Sequence, residues 1–533
     1  MSRIKSFLVA ICLVFAGMLT LVSAAEAQVQ VVGAGSSAQW QATAYAAWHD
    51  LAGAVAGHHY TIKGHCTSGN CGQLKDQRST SIPLEGGNLW VVWNSTATKF
   101  WAFLSVDSVV GNRCFKASPR CLLEIDAQTK SVPGQDLIST ALWGADATAL
   151  PAAVYAALNG QPINAGFTDI RPEDAKFAEC RATSPLTSTR TGLGYGSSCT
   201  QLIGTPIMSA LSSSTANPSA FNLSGTDPFT GRSIPVSTTI PVGASPIIFI
   251  VNRTNASGLG SAAVKNVTVT TTGTGTAQQL FEDEAACNAS TLGGGNFPLT
   301  ILLREPLSGT MNTTEFTNFR LVGSGLGGDS QEESVVPPTN NPLNQACAAG
   351  GGKRMRGIGT GEIVGGIATI SDSIGYAFFS YGNVAKITGV GKYLTLNGVD
   401  PIQATYTGGT LPTCTAPCPK AAGTSFPNLR NGRYRSWSLL RVVTDASGAN
   451  FTNVSALVSN AQNDVNGTVP DFVPYKTTNG SDPGLSKELY RSHYLQSGVA
   501  PNNGLGGQTE SGGDVGGCIE HVAPPPGVLN CHQ

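Results

Sequence analysis

The stretch Arg304-Glu305-Pro306-Leu307-Ser308-Gly309-Thr310 constrains this chain more than any other. An apolar run, Phe297 to Leu303, delivers an arginine to a Ser-Gly-Thr turn, and a helix-patterned run, Met311 to Leu321, follows. A passage from strand to helix leaves unpaired N–H groups and partial positive charge at the helix start, here beside two hydroxyls and a guanidinium. Gly309 lets the backbone come close, and the planar fork of an arginine matches oxyanion geometry. The stretch predicts an anion cradle in an α/β protein. An ordinary Ser/Thr cap beside a surface arginine is the plainer alternative.

Two further stretches repeat the design. Val29 to Val32 is apolar, Gly33-Ala34-Gly35-Ser36-Ser37 is a turn, and Ala38 to Leu51 carries apolar residues at helical spacing, with Ser36 or Ser37 as its cap. Gly166-Phe167-Thr168-Asp169-Ile170-Arg171-Pro172-Glu173-Asp174 ends a short apolar run and opens a helix, with a proline near its first turn. Asp169 then sits at a strand end, either exposed in a turn or facing a ligand. Gly357-Ile358-Gly359-Thr360-Gly361-Glu362 opens a helix through Ile367. It lacks both the Lys-Ser/Thr of a phosphate-binding nucleotide loop and the full spacing of a dinucleotide fingerprint.

Arg3 and Lys5, an apolar segment from Phe7 to Val22 and the small-x-small site Ala25-Glu26-Ala27 read as a secretory signal peptide over residues 1–27. No other stretch reaches the roughly 20 apolar residues of a membrane span, so a periplasmic or secreted location is expected. Setting aside Cys12, an even set of cysteines remains, which in an exported chain reads as a disulfide framework. Short bridges are expected at Cys66–Cys71, Cys114–Cys121, Cys180–Cys199 and Cys414–Cys418, with Cys287–Cys347 and Cys518–Cys531 completing the set. The cluster His58, His59, His65, Cys66 and Cys71 matches no standard zinc spacing, so no metal site is expected. A net charge of −1 with 12% charged residues argues against a nucleic-acid surface.

With more than about 500 residues beyond the leader, two lobes are expected. Strands are read at Tyr60 to Gly64, Leu89 to Trp93, Phe100 to Val110, Ile240 to Asn252, Ser373 to Ser380, Tyr393 to Val399 and Ser436 to Thr444. Helices are read at Ala152 to Leu158 and Ala277 to Ala286. Trp90, Trp93 and Trp101 alternate with apolar neighbours and are assigned to the core. Residues 182–236 and everything from Asn502 onward are loop-like.

These pieces, in this order, resemble the phosphate-binding proteins of bacterial phosphate ABC importers, the PstS-like group within the type II periplasmic binding proteins. Gly33-Ala34-Gly35-Ser36-Ser37 looks like that family's Gly-Ala-Gly-x-Thr turn, Phe167-Thr168-Asp169 is similar to its Ala-Ser-Asp segment, and Arg304 with Ser308-Gly309-Thr310 matches its Arg-x-x-x-Ser-Gly-Thr loop. Ser373-Ile374-Gly375-Tyr376 resembles its Ile-Gly-Tyr strand, and Ile240-Pro241-Val242 its crossover between lobes. The likeness covers Val29 to Val399 in patches. It departs at Ala38, where the family has an aromatic, at the second-turn serine, matched only loosely by Thr67 or Ser68, and in the long chain before Asp169.

The resemblance implies a two-lobed α/β fold with an inter-lobe cleft and an inserted β-rich segment at about residues 73–160. Lobe 1 would span 28–240, lobe 2 would span 241–395, and 396–533 would return to lobe 1 and end in a loop-rich extension. It implies a ligand set of Ser36, Ser37, Ala38, Ser68, Asp169, Arg304, Ser308, Gly309 and Thr310. Asp169 would accept a hydrogen bond from a protonated oxyanion such as hydrogen phosphate and repel fully ionised sulfate. The implied role is solute capture by a monomer for an ABC-transporter permease, without cofactor, catalysis, nucleic acid or membrane span. Two other classes remain open: an exported structural or adhesive protein that reuses the fold with its anion site altered or lost, and a secreted hydrolase. The hydrolase lacks a Gly-x-Ser-x-Gly elbow, and the histidines lie outside all three anion turns.

Overall fold

The computed structural model describes residues 28–475 except 54–56, 65–71, 79–84, 173–174, 177, 180–220, 255–257, 271–273, 282–286, 305–306, 320–343, 348, 358, 413–425, 431–432 and 466–468. Two twisted mixed sheets share one long strand. In the first, β1 (Gln28–Ser36) lies at the centre. It pairs in parallel with β2 (Lys99–Val106) on one side and β3 (Ala165–Thr168) on the other. The hairpin partner Glu85–Trp93 and then His58–Ile62 extend the sheet beyond β2. Beyond β3 come the antiparallel returning strand Trp437–Asp445 and the first half of β4 (Ser237–Asn252). The expected inserted segment is β-rich, and its strand β2 is built into the sheet directly beside β1.

From Ile247 onward β4 leaves the first sheet and pairs antiparallel with Ser373–Phe378 and Gly391–Leu396. The second sheet continues through β5 (Thr300–Arg304) to β6 (Lys353–Gly357), both parallel to Ser373–Phe378. Its strands are apolar on both faces, Ile301, Leu302 and Leu303 all being buried, because helices cover each side. This is a two-lobed α/β arrangement in which the chain enters the second lobe along β4 and returns to the first along Trp437–Asp445.

The parallel strands deliver their C-terminal ends to helices. After β1 comes a 3₁₀ turn, Ser37–Gln39, and helix α1 (Trp40–Ala46). After β2 comes α2 (Ser108–Lys116), after β5 comes α3 (Gly309–Thr314), and after β6 comes α4 (Gly359–Thr369). The expected strand Phe100 to Val110 is corrected here: it stops at Val106, and Ser108 opens α2. Asp107 and Ser108 interrupt the apolar run, and Val109 and Val110 are buried on the helix, so two β-branched residues had disguised a helix start.

Trp90, Trp93 and Trp101 are buried in the core as expected. Of the expected disulfides, Cys114–Cys121 ties the end of α2 to the following strand, and Cys287–Cys347 closes a loop of 60 residues in the second lobe. The other four pairs lie outside the described residues, as does the leader. No helix among the described residues is long and apolar enough to cross a membrane.

Candidate functional site

Parallel strands of one sheet place their C-terminal ends on one edge, and the two sheets turn these edges toward each other. Ser36 ends β1, Val106 ends β2 and Thr168 ends β3, in register with one another through Ser36 opposite Val106 and Gly35 opposite Phe167. From the other lobe, Arg304 ends β5 opposite Gly357 at the end of β6. Five strand ends thus converge.

Ser36 Oγ accepts from the Ala38 backbone N–H at 3.2 Å and caps the turn. Ala38 itself is buried and contributes backbone and packing. Ser37 reaches across the lobes to α4: its Oγ lies 3.0 Å from Thr360 Oγ1 and accepts from the Thr360 backbone N–H. Asp169 is fully buried, not exposed in a turn. Its Oδ1 accepts from Ser108 Oγ, and its Oδ2 accepts from Thr310 Oγ1 at 3.2 Å. Its carboxylate packs against Gly309, where a Cβ would stand 1.8 Å from Asp169 Oδ1, so only glycine fits at the first position of α3 without a shift of Asp169.

Arg304 is 1% exposed. One arm donates to Thr310 Oγ1 at 3.1 Å and the other to Asp107 Oδ1 at 2.6 Å. Ser308 Oγ accepts from the Met311 backbone N–H at 3.3 Å, capping α3. Asp169, Thr310 and Arg304 therefore form one buried chain across the lobe boundary, with Ser308 and Gly309 packed into it. A backbone bond from Val109 N–H to the Leu307 carbonyl runs parallel to it at 3.2 Å. Ser68 lies outside the described residues, and the hydroxyl that faces Asp169 at the second turn of the first lobe is Ser108.

Sequence reasoning missed Asp107, Ser108 and Thr360. Asp107 occupies the N-cap position of α2 without capping it, because its carboxylate is turned to Arg304. Burial pushes its pKa up to about 6, with Asp169 and Glu85 adding to the rise and Arg304 opposing it. Burial also raises the pKa of Asp169, against hydrogen bonding from Ser108 and the charge of Arg304. One guanidinium thus faces two carboxylates.

A cleft of about 510 Å³ opens between the lobes, and its lining includes Ser37 but none of Asp107, Asp169, Arg304 or Thr310. Ser37, Trp40, Lys63 and Asn88 line it from the first lobe, and Glu362 and Lys386 from the second. Ser37 therefore borders the cleft and also, through Thr360, fastens the two lobes. In this structure both terminal arms of Arg304, the Thr310 hydroxyl and both carboxylate oxygens of Asp169 are engaged with one another, with Asp107 and with Ser108.

No protein-family model matches the chain, and neither does any curated protein. Among solved structures it is similar to a high-affinity periplasmic phosphate-binding protein, PfluDING, bound with phosphate, at 12% identity over 91% of this chain and 98% of that one, TM-score 0.33. A phosphate-binding protein from Stenotrophomonas maltophilia is similar at 13% identity over 81% of this chain and 84% of that one, TM-score 0.31. PstS from Borrelia burgdorferi is similar at 15% identity over 43% of this chain and 69% of that one, TM-score 0.25.

Proposed function

We propose that this chain is an exported solute-binding protein that captures a small oxyanion, inorganic phosphate foremost, between its two lobes and delivers it to an ABC-transporter permease. The observation that carries this reading is the buried Asp169–Thr310–Arg304 chain, which joins an acceptor-only carboxylate from one lobe to a guanidinium and a hydroxyl from the other. Arg304 and Thr310 supply charge and donors, and Ser308 and the first N–H groups of α3 complete the second-lobe side. Ser37 and Ser108 supply hydroxyls from the first lobe. Asp169 accepts only, so it rewards an anion that still carries a proton. Charge-assisted bonds of this kind contribute about 1.5–3 kcal/mol each, enough for micromolar binding from a handful after ordering costs.

A thermal-shift series with phosphate, arsenate, sulfate and molybdate tests the reading, since a ligand at about 100 times its Kd stabilises the native state by about 2.7 kcal/mol. Phosphate is expected to raise the melting temperature and sulfate to leave it unchanged. Absence of any oxyanion effect, or binding that survives Arg304→Ala in calorimetry, overturns it.

A second reading has one observation in its favour: Asp107 already engages an arm of Arg304. The cluster would then be a permanent latch in an exported structural or adhesive protein whose outer surface does the work. That protein would be normally stable and indifferent to every oxyanion in the same series.

A further inference from the structure

We infer that Asp107 restrains anion binding at the proposed site: it is a resident counterion that an incoming oxyanion must displace from Arg304. This rests on the oxyanion-binding reading above. Asp107 Oδ1 takes one arm of the guanidinium at 2.6 Å, and the other arm is spent on Thr310. An oxyanion that uses the fork of Arg304 therefore needs the place that Asp107 holds.

The two buried carboxylates are held differently. Asp169 accepts from Ser108 and Thr310, its own N–H donates to Ser108 Oγ at 3.2 Å, and its carbonyl accepts from Ser438. Asp107 has a single side-chain bond, and its Oδ2 has no hydrogen-bond partner among the described residues although it is buried. Removing Asp107 from Arg304 breaks one bond; removing Asp169 dismantles a network. Asp107 also has a second berth, because as the N-cap residue of α2 it can turn to the Val110 N–H, the Val109 N–H being taken by the Leu307 carbonyl.

Charge couples the displacement to a proton. The groups facing Asp107 are Arg304 from β5, Asp169 from the end of β3 and Glu85 from the strand Glu85–Trp93, and Glu85 is itself paired with Arg113 at 3.0 Å. An anion added beside two ionised carboxylates would set three negative groups against one guanidinium. Protonation of Asp107 relieves this, with the proton drawn from solvent or from the acid form of the ligand. The raised pKa of Asp107 brings that protonation within reach near neutrality. Anion capture is thereby tied to uptake of one proton at Asp107.

Calorimetry with inorganic phosphate on the full chain and on Asp107→Asn tests this. At about pH 8 the variant should bind about ten- to a hundredfold tighter, the equivalent of one charge-assisted bond no longer in competition. At about pH 5, where wild-type Asp107 carries its proton, the ratio of the two affinities should fall toward one, and taking the ratio cancels the titration of phosphate itself. Asp107→Ser, which places another good capping residue type at the start of α2, should behave as Asp107→Asn and guards against a folding defect in either. Equal affinities at the higher pH, or a ratio that does not change with pH, overturn the inference and leave the oxyanion reading standing. If neither wild type nor variant binds phosphate at either pH, the oxyanion reading falls and takes the inference with it.

Discussion

Ser37 and Thr360, 323 positions apart in sequence, meet with their hydroxyl oxygens 3.0 Å apart, and the Thr360 backbone N–H also donates to Ser37 Oγ at 2.9 Å. One side chain from the first turn of lobe 1 thus satisfies both a hydroxyl and an otherwise orphaned N–H at the start of a lobe 2 helix. Ser37→Ala leaves that N–H buried without its partner. The expected loss is about 1–2 kcal/mol, read as a lower midpoint in urea denaturation with an unchanged slope.

Gly309→Ala should be more severe. The added methyl would lie 1.8 Å from Asp169 Oδ1 and 2.7 Å from Ser108 Oγ, so the lobes must separate or Asp169 must leave its network. A destabilisation of about 1–3 kcal/mol is expected from the overpacking. Small-angle scattering should show a larger radius of gyration than wild type, and an unchanged radius with unchanged stability would contradict this account of the contact.

Stability should rise as pH falls from about 8 to about 5. Burial pushes Asp107 up to about 6, and Glu179 and Asp471 each up to about 7, all above the ordinary 3.8 of Asp and 4.5 of Glu. The folded chain therefore binds these protons more tightly than the unfolded chain. Their stabilising contribution is full below the unfolded values and is lost as pH rises through 6 and 7. Asp227 and Asp445 are held low by Arg78 and Arg120 against the effect of burial, so they oppose the trend only below their ordinary range. Melting temperatures recorded across this interval should fall steadily with rising pH, and a flat or rising profile would rule the assignment out.

Loss of the bridge Cys287–Cys347 should cost about 4 kcal/mol, as a cross-link closing a loop of 60 residues restricts the unfolded chain strongly. Cys114–Cys121, separated by 7 residues, should cost about 2 kcal/mol by the same reasoning. Comparing the two Cys→Ser double variants in guanidinium denaturation gives the order directly.

Much of this was legible in the sequence because the same local grammar recurs. Val29 to Val32, Phe167 and Phe297 to Leu303 announce strands, and Ser36, Asp169 and Ser308 to Thr310 stand where each must turn into a helix. A fourth member of that set was hidden. Asp107-Ser108 sits inside the apolar run Phe100 to Val110, and a two-residue polar break between β-branched residues is a weak signal against so strong a strand pattern. A hydroxyl and a carboxylate together, followed by polar Asn112 and Arg113 at helical spacing, were the available clue. Thr360 stands in a Gly-rich turn whose local pattern points only to a nucleotide loop, whereas its actual partner, Ser37, comes from the opposite lobe. No sequence pattern announces a contact across 323 positions.

The strand Ser237–Asn252 has a mechanical consequence. Its first half is bonded into one sheet and its second half into the other, with no loop between them. Any parting of the lobes must load this strand as a torsion bar, since no joint along it can swing freely. The energy of opening would be spread over a run of paired backbone, which favours small, springy excursions over a wide gape and returns the halves to the same alignment each time.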